Sequence, residues 1–189
     1  MINKSKNRGM TLLELMIALT IASVILTLGV PSFRAVIDNQ RMTASTNEMV
    51  MTLNLAKSEA IKRVAYVSIC QSSDGASCSA GGLGWQDGWI VFANATNASL
   101  DSFDAGDELI RVYPRLRQSF TFTSLGAINS FVSFRPGGTI GTSAANMTGT
   151  LTICDERGAG YARGIVLGLS GRWHVSSEKA HDGSVLVCP

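Results

Sequence analysis

The stretch NRGMTLLELMIALTIASVILTLGV, residues 7–30, decides the architecture of this chain. From residue 10 to residue 30 it is apolar except for hydroxyl side chains, one glycine and one carboxylate, Glu14. Three cations precede the apolar run: Lys4, Lys6 and Arg8. A helix of these 21 residues extends about 31 Å, long enough to cross the hydrocarbon core of a bilayer. Because flanking cations stay on the cytoplasmic side, we predict one transmembrane helix over residues 10–30, with a cytoplasmic N-terminus and an exported C-terminal part.

A cleavable secretory signal is the alternative interpretation of this N-terminal run. Such a signal has a shorter apolar core and ends in a cleavage site of small residues, of the A-x-A kind. Residues 28–36 read LGVPSFRAV, which offers no good site of that kind. Apolar residues also continue to recur at helical spacing as far as residue 64. We therefore predict one helix over about residues 10–63, in which residues 31–63 are an amphipathic continuation of the transmembrane half.

After residue 64 the apolar period changes from helical spacing to two. Eight short segments have this alternation: 65–70, 89–93, 109–113, 120–125, 131–135, 151–154, 164–169 and 185–188. Clusters of Gly, Ser, Asn and Asp separate them and indicate turns. The predicted fold class is α+β. The long N-terminal helix packs along one side of a globular domain over residues 64–189, built as an antiparallel β-sandwich or two small antiparallel sheets.

The four cysteines are typical of an exported domain. Cys70, Cys78, Cys154 and Cys188 contain no C-x-x-C pair, so we predict two disulfides rather than a zinc site. We pair neighbours in sequence, Cys70 with Cys78 and Cys154 with Cys188, although spacing alone allows three connectivities.

The charge balance excludes a globally basic nucleic-acid binder. The chain has 16 basic and 14 acidic residues, and without the three N-terminal cations 13 basic residues face the 14 acidic ones. Any nucleic-acid binding would need a local basic patch.

An enzyme or a metal protein is also disfavoured by the sequence. His174 and His181 are the two histidines, and the sequence contains neither H-E-x-x-H nor G-x-S-x-G. The acidic run at 101–108 does not have the spacing of a calcium loop. We predict no catalytic residue, no cofactor and no metal site.

The N-terminal pattern of a basic leader, Gly9 and then MTLLE resembles the cleavage motif of type IV prepilins and type II secretion pseudopilins. The usual residue after the glycine is Phe, and here it is Met10. The resemblance implies that a prepilin peptidase removes residues 1–9 by cutting between Gly9 and Met10, and then methylates the new amine. A carboxylate inside a membrane segment usually has a partner. We expect Glu14 to face the N-terminal amine of a neighbouring subunit and to set the register of assembly.

The segment CDERGAGYARGIVLGLSGRWHV, residues 154–175, resembles the C-terminal signature of the GspH/FimT family of minor pilins and pseudopilins. The pattern is closer to the FimT and FimU pilus members. The resemblance implies a minor pilin of a type IV pilus, in the complex at the filament tip that primes assembly. The alternative within the same class is a minor pseudopilin of a type II secretion system.

Some FimT-like members bind DNA during natural transformation, an activity associated with a Gly-Arg-x-Arg element. Gly171 and Arg172 match that element, and His174 replaces the second arginine, so one permanently charged side chain of the element is missing. The third hypothesis is therefore a DNA-binding minor pilin with contacts through Arg172, His174 and Arg163. Trp173 is interpreted as a packing residue, with base stacking as the alternative.

Four arginines lie between Glu108 and Asp155, a stretch without acidic residues: Arg111, Arg115, Arg117 and Arg135. We interpret them as charges on strand edges that limit edge pairing. The alternative is that they converge with Arg172 into a modest basic face that contacts phosphates.

The resemblance also implies partners and a location. The expected partners are the prepilin peptidase, the major pilin and other minor pilins of a hetero-oligomeric filament, the inner-membrane assembly platform and, under the third hypothesis, DNA. The expected location is the bacterial inner membrane, as a single-pass protein with a periplasmic C-terminal domain, and then a pilus or pseudopilus.

Overall fold

A computed structural model describes residues 9–79, 83–96, 99–116 and 120–189 of the chain. The predicted leader up to Arg8 and the side chain of Arg117 lie outside these ranges. The chain divides into two compact units, one that ends at Arg41 and one that runs from Met42 to Pro189.

Within the described ranges, one α-helix is followed by eight strands. They are α1 (Leu12–Arg63), β1 (Val67–Gln71), β2 (Trp89–Ala93), β3 (Glu108–Tyr113), β4 (Thr121–Gly126), β5 (Phe131–Phe134), β6 (Gly149–Cys154), β7 (Arg163–Leu167) and β8 (Trp173–Ser176). The α+β class and the long N-terminal helix are therefore confirmed.

The first half of α1 is apolar on every side. The helix begins after Thr11, whose Oγ1 accepts a hydrogen bond from the backbone N–H of Glu14 at 3.3 Å and so caps the first turn. Large side chains of this half are exposed, among them Leu12 at 76% and Leu19 at 61%. By length and composition, α1 is able to cross a membrane.

The second half of α1 has one buried stripe. Its members recur at helical spacing: Met42, Met49, Leu53, Ala56 and Ala60. The stripe packs into the main core of the domain with residues of both sheets, such as Trp89 and Leu151. Thr52 adds a polar contact there, because its Oγ1 accepts a hydrogen bond from Trp89 Nε1 at 3.1 Å.

The strands form two four-stranded antiparallel sheets. One has the order β3-β2-β1-β5 and the other β4-β6-β7-β8. Between Val91 and Phe92 of β2 the register with β3 shifts, because Ile110 is an extra, unpaired residue that forms a bulge in β3. The prediction of two small antiparallel sheets is confirmed.

Each sheet has a second, outer face that is covered by a loop held by a disulfide. Cys78 and Phe103 pack over Cys70, Ile90 and Phe92 on the first sheet. On the second sheet a small cluster forms from Cys154, Ala162, Ala180, Leu186 and Cys188. The two disulfides thus lie where the loops cross the sheets, which explains why β1 and β6 are buried on both faces.

The predicted strand at residues 185–188 is wrong. Val185 forms one isolated bridge with Lys179, and no ladder follows. The apolar alternation has another cause, because Leu186 packs on the sheet while Val185 and Val187 are each 70% exposed. The eighth strand is instead β8, a short strand paired with β7.

Candidate functional site

The predicted processing site lies in an accessible stretch before α1. Gly9 and Met10 are exposed and precede the first helical residue, Leu12. A Cβ added at Gly9 would meet nothing within 4 Å among the described residues. The described part of the fold therefore gives no packing reason for a glycine at this position.

Glu14 lies in the first turn of α1, where the positive end of the helix dipole favours a carboxylate. No ion pair to Glu14 forms among the described residues. The described part of the chain therefore leaves this carboxylate without a counter-ion.

The two disulfides join Cys70 to Cys78 and Cys154 to Cys188, with Cα–Cα distances of 5.6 and 5.8 Å. The loop inside the first disulfide is ordered by Asp74. Its carboxylate accepts hydrogen bonds from the backbone N–H groups of Ala76 and Ser77 and from the hydroxyls of Ser72 and Ser77. These bonds stabilise the charged form, so the pKa of Asp74 lies well below its usual range.

A rigid hairpin turn presents Arg172. Gly171 in this turn has φ +69°, and a Cβ there would lie 1.9 Å from the carbonyl oxygen of Gly138. Lys57 on α1 fixes the same residue, because its Nζ donates a hydrogen bond to the Gly171 carbonyl oxygen at 2.8 Å. Arg172 itself is exposed. Of the matched Gly-Arg pair, Gly171 is therefore required by the close packing of the turn, and Arg172 is an accessible cation.

The three residues predicted to contact DNA do not converge. His174 is exposed on β8 opposite Val166 of β7. Arg163 begins β7, three residues before Val166, so its side chain lies on the other face of the sheet from His174. Arg163 is separated from the hairpin turn by the length of β7, about 13 Å at the usual rise per residue. Its Nη1 donates to the carbonyl oxygen of Ala162 at 3.3 Å.

The described arginines between Glu108 and Asp155 are engaged locally. Arg115 pairs with Asp87 at 3.5 Å, and Arg111 lies over the ring of Tyr113 at 5.2 Å. Arg135 donates to the carbonyl oxygens of Thr142 and Ala145 and to the side chain of Asn146. These contacts assign separate local roles to the three arginines.

A cleft that the sequence did not predict lies between α1 and the β7–β8 hairpin. It has a volume of about 450 Å³, and its lining residues are Asn54, Lys57, Ser58, Ile61, Gly171, Arg172 and Trp173. The sequence gives only a weak indication that Lys57 belongs to a site. No acidic residue lies three or four positions away on the helix, so Lys57 has no ion-pair partner on its own helix face. We call this the helix–hairpin cleft.

The acidic loop has no metal-binding geometry. Asp107 Oδ1 accepts the backbone N–H of Ala95, and its Oδ2 accepts that of Asp104. No group of three or more metal-ligating side chains occurs in the part of the chain that the structure describes. His181 is bound to Thr150, whose Oγ1 accepts the His181 backbone N–H at 2.8 Å.

Two family models and two solved structures match the chain. The model described as Type II transport protein GspH matches residues 45–171, and the Prokaryotic N-terminal methylation motif matches residues 4–30. Two crystal structures of the type IV minor pilin FimU from Pseudomonas aeruginosa are similar in fold. One has 20% identity and a TM-score of 0.56 and covers 76% of this chain and 94% of that one. The other has 19% identity and a TM-score of 0.54, with coverages of 74% and 96%.

No curated protein matches the sequence. The GspH model nevertheless spans more than half of the chain, and the methylation motif precedes it at the start of an apolar helix. The chain belongs to the GspH/FimT family of type IV minor pilins and pseudopilins.

Proposed function

We propose that this chain is a minor pilin of a type IV pilus and acts in the tip complex that primes assembly. Its family consists of structural proteins, which are substrates of a peptidase and assemble with other pilins. The observation that carries the proposal is the first half of α1. This half exposes large apolar side chains all round, and its one carboxylate, Glu14, has no ion-pair partner among the described residues.

Assembly follows from that helix in two steps. The peptidase cuts between Gly9 and Met10 and methylates the amine of Met10, while residues 10–30 anchor the protein in the inner membrane with its C-terminal domain in the periplasm. The helix then leaves the membrane for the filament, where neighbouring helices cover its apolar surface. Glu14 faces the amine of a neighbour, because an unpaired carboxylate among apolar side chains is costly.

The processing step is tested by Gly9→Leu. We expect the variant to remain in the inner membrane as the full-length precursor, detected by its intact mass. Gly160→Leu is the matched control, because Gly160 is also exposed and a Cβ there meets nothing within 4 Å. A mature form of Gly9→Leu would show that the cleavage site is elsewhere.

The register step is tested by Glu14→Ala, with Glu48→Ala on the same helix as the control. We expect Glu14→Ala to insert in the membrane and to be processed, because the change removes a charge from an apolar segment. Its amount in sheared filaments should fall about tenfold, as expected for a lost interaction of about 1.4 kcal/mol. Glu48→Ala should be incorporated normally. Equal incorporation of the two variants would contradict the role of Glu14.

A minor pseudopilin of a type II secretion system is the alternative within the family, and the matching model carries the name of that system. Deletion of the gene separates the two functions. Loss of surface pili supports the pilus, whereas loss of an exported protein from the medium with normal pili supports the secretion system.

DNA uptake is the second candidate function, favoured by the accessible cation at Arg172 in the hairpin turn. The test is a salt-dependent mobility shift of double-stranded DNA with the detergent-solubilised protein. Arg172→Ala should abolish the shift, and Arg111→Ala, a change on the other sheet, should not. Undiminished binding by Arg172→Ala would rule out this site.

A further inference from the structure

The helix–hairpin cleft has cations but no acidic side chain in its lining. Lys57 and Arg172 stand beside the amide of Asn54, the hydroxyl of Ser58 and the indole ring of Trp173. No carboxylate among the described residues pairs with either cation. Elsewhere in the domain, Arg63, Arg115 and Arg157 do pair with carboxylates. The cleft is therefore a place of uncompensated positive charge.

Donor groups remain free for a ligand in this cleft. The Lys57 ammonium has three N–H donors, one of which donates a hydrogen bond to the Gly171 carbonyl oxygen. The Arg172 guanidinium presents five donors in a planar fork that matches a carboxylate. A carboxylate placed between these two side chains would accept charge-assisted hydrogen bonds from both.

The walls of the cleft are held before any ligand binds. A Cβ at Gly171 would clash with the Gly138 carbonyl oxygen, so the turn is closely packed against its neighbour. The ring of Trp173 lies edge-on to Phe134, with centroids 6.2 Å apart, and Lys57 Nζ lies 5.6 Å from the Trp173 ring centroid. Side chains that are already ordered lose little entropy on binding, which favours recognition of a small group.

The size and charge of the cleft favour a protein carboxylate over nucleic acid. Affinity for DNA grows with the number of phosphates that are neutralised, so a strand needs a row of cations. The cleft has two cations in about 450 Å³, and Arg163 lies about 13 Å farther along β7. Two cations in the lining of one small cleft suit one aspartate or glutamate side chain, with the Trp173 ring beside it.

We propose that the helix–hairpin cleft docks an acidic side chain from an exposed loop of another pilin subunit. The inference rests on the proposed function, because it requires a filament in which subunits are neighbours. It adds a contact between globular domains, formed by Lys57, Arg172 and Trp173, to the helix packing that α1 provides.

Site-specific cross-linking in cells tests this contact. The photo-reactive amino acid p-benzoylphenylalanine is placed at Ser58, which is exposed in the cleft lining, or at Ala159, which is exposed elsewhere in the domain. Filaments are sheared after illumination, and the cross-linked peptide is identified by mass spectrometry. We expect an adduct from Ser58 to a segment of another pilin that contains Asp or Glu, and no such adduct from Ala159.

Charge variants then test the chemistry of the cleft. In the Ser58 cross-linking background, Arg172→Glu should reduce the adduct about tenfold, since it replaces attraction by repulsion, and Arg172→Lys should retain it. Changing the partner's carboxylate to Lys should restore the adduct with Arg172→Glu. Restoration would not follow if the substitution had merely unfolded the hairpin.

The outcomes separate this inference from the proposed function. If the protein is present in filaments but Ser58 gives no adduct to another pilin, the cleft contact alone is overturned. An adduct to nucleic acid, or to a pilin segment without an acidic residue, would also overturn it. Absence of the wild-type protein from filaments would overturn the proposed function, and this inference with it.

Discussion

The two halves of α1 differ both in their share of apolar residues and in how those residues are arranged. In the first half the apolar side chains surround the helix, and Leu12 and Leu19 are 76% and 61% exposed. In the second half they form one stripe, and Met49 and Leu53 are fully buried. The domain core buries the stripe of the second half, whereas the apolar side chains of the first half are exposed.

The difference shows that the helix serves two environments. The domain stabilises the second half by burying its stripe, which contributes about 1.5–3 kcal/mol for each large side chain. No described residue buries the first half in this way, and its apolar surface suits a membrane or other helices. Substitutions in the two halves should therefore affect different measurements, and the following experiments compare them.

The largest expected effect is that of Leu53→Ala. The change leaves a cavity in the core and should lower the free energy of unfolding of the domain by about 2–5 kcal/mol. Leu19→Ala is the control in the first half and should leave that free energy unchanged. Unfolding of the full chain in detergent is followed by tryptophan fluorescence, which reports on the domain alone because all three tryptophans, Trp85, Trp89 and Trp173, lie in it. Similar losses in both variants would contradict the division of α1 into two parts.

A smaller effect is expected for Thr52→Val. The change keeps the shape of the side chain but leaves the buried Nε1–H of Trp89 without its acceptor, which costs about 1–3 kcal/mol. Thr20→Val is the matched control, because Thr20 also bonds back to the helix, to the carbonyl oxygens of Met16 and Ile17, but is exposed. The same denaturation experiment should show destabilisation by the first change only. A stable Thr52→Val variant would mean that the Trp89 bond contributes little.

The smallest effect concerns the end of the helix. Val64 follows Arg63 with φ +54°, a left-handed conformation that is strained for a β-branched residue, and it is 74% exposed. Glycine is the usual residue at this position after a helix. Val64→Gly should therefore stabilise the domain by up to about 1 kcal/mol. Val36→Gly, in the helix interior, should give no such gain. Destabilisation by Val64→Gly would show that the Val64 side chain contributes contacts worth more than the strain.

Much of the fold could be predicted because its periodicities are strong. The change from helical spacing to alternation at residue 64 coincides with the end of α1 at Arg63. The strand β8 was missed because it has four residues and its middle two, His174 and Val175, are both exposed, so the sequence has no burial pattern to detect. The strand predicted at 185–188 is absent because a segment that crosses a sheet can alternate between buried and exposed side chains without pairing its backbone with another strand.

The sites were predictable to different degrees. Gly9 and Glu14 belong to a contiguous motif, so their chemistry can be inferred from sequence alone. The helix–hairpin cleft could not be, because Lys57 and Gly171 are 114 residues apart and meet only in the folded domain. Local spacing carries no information about such a contact.

The amount of pili sheared from cells that lack this protein, compared with wild-type cells, tests the central claim most directly. A minor pilin that primes assembly acts before the filament grows, so its absence should remove most surface pili although the major pilin is still made. Complementation with the wild-type chain should restore them. Pili at wild-type levels in the deletion strain would contradict a priming role.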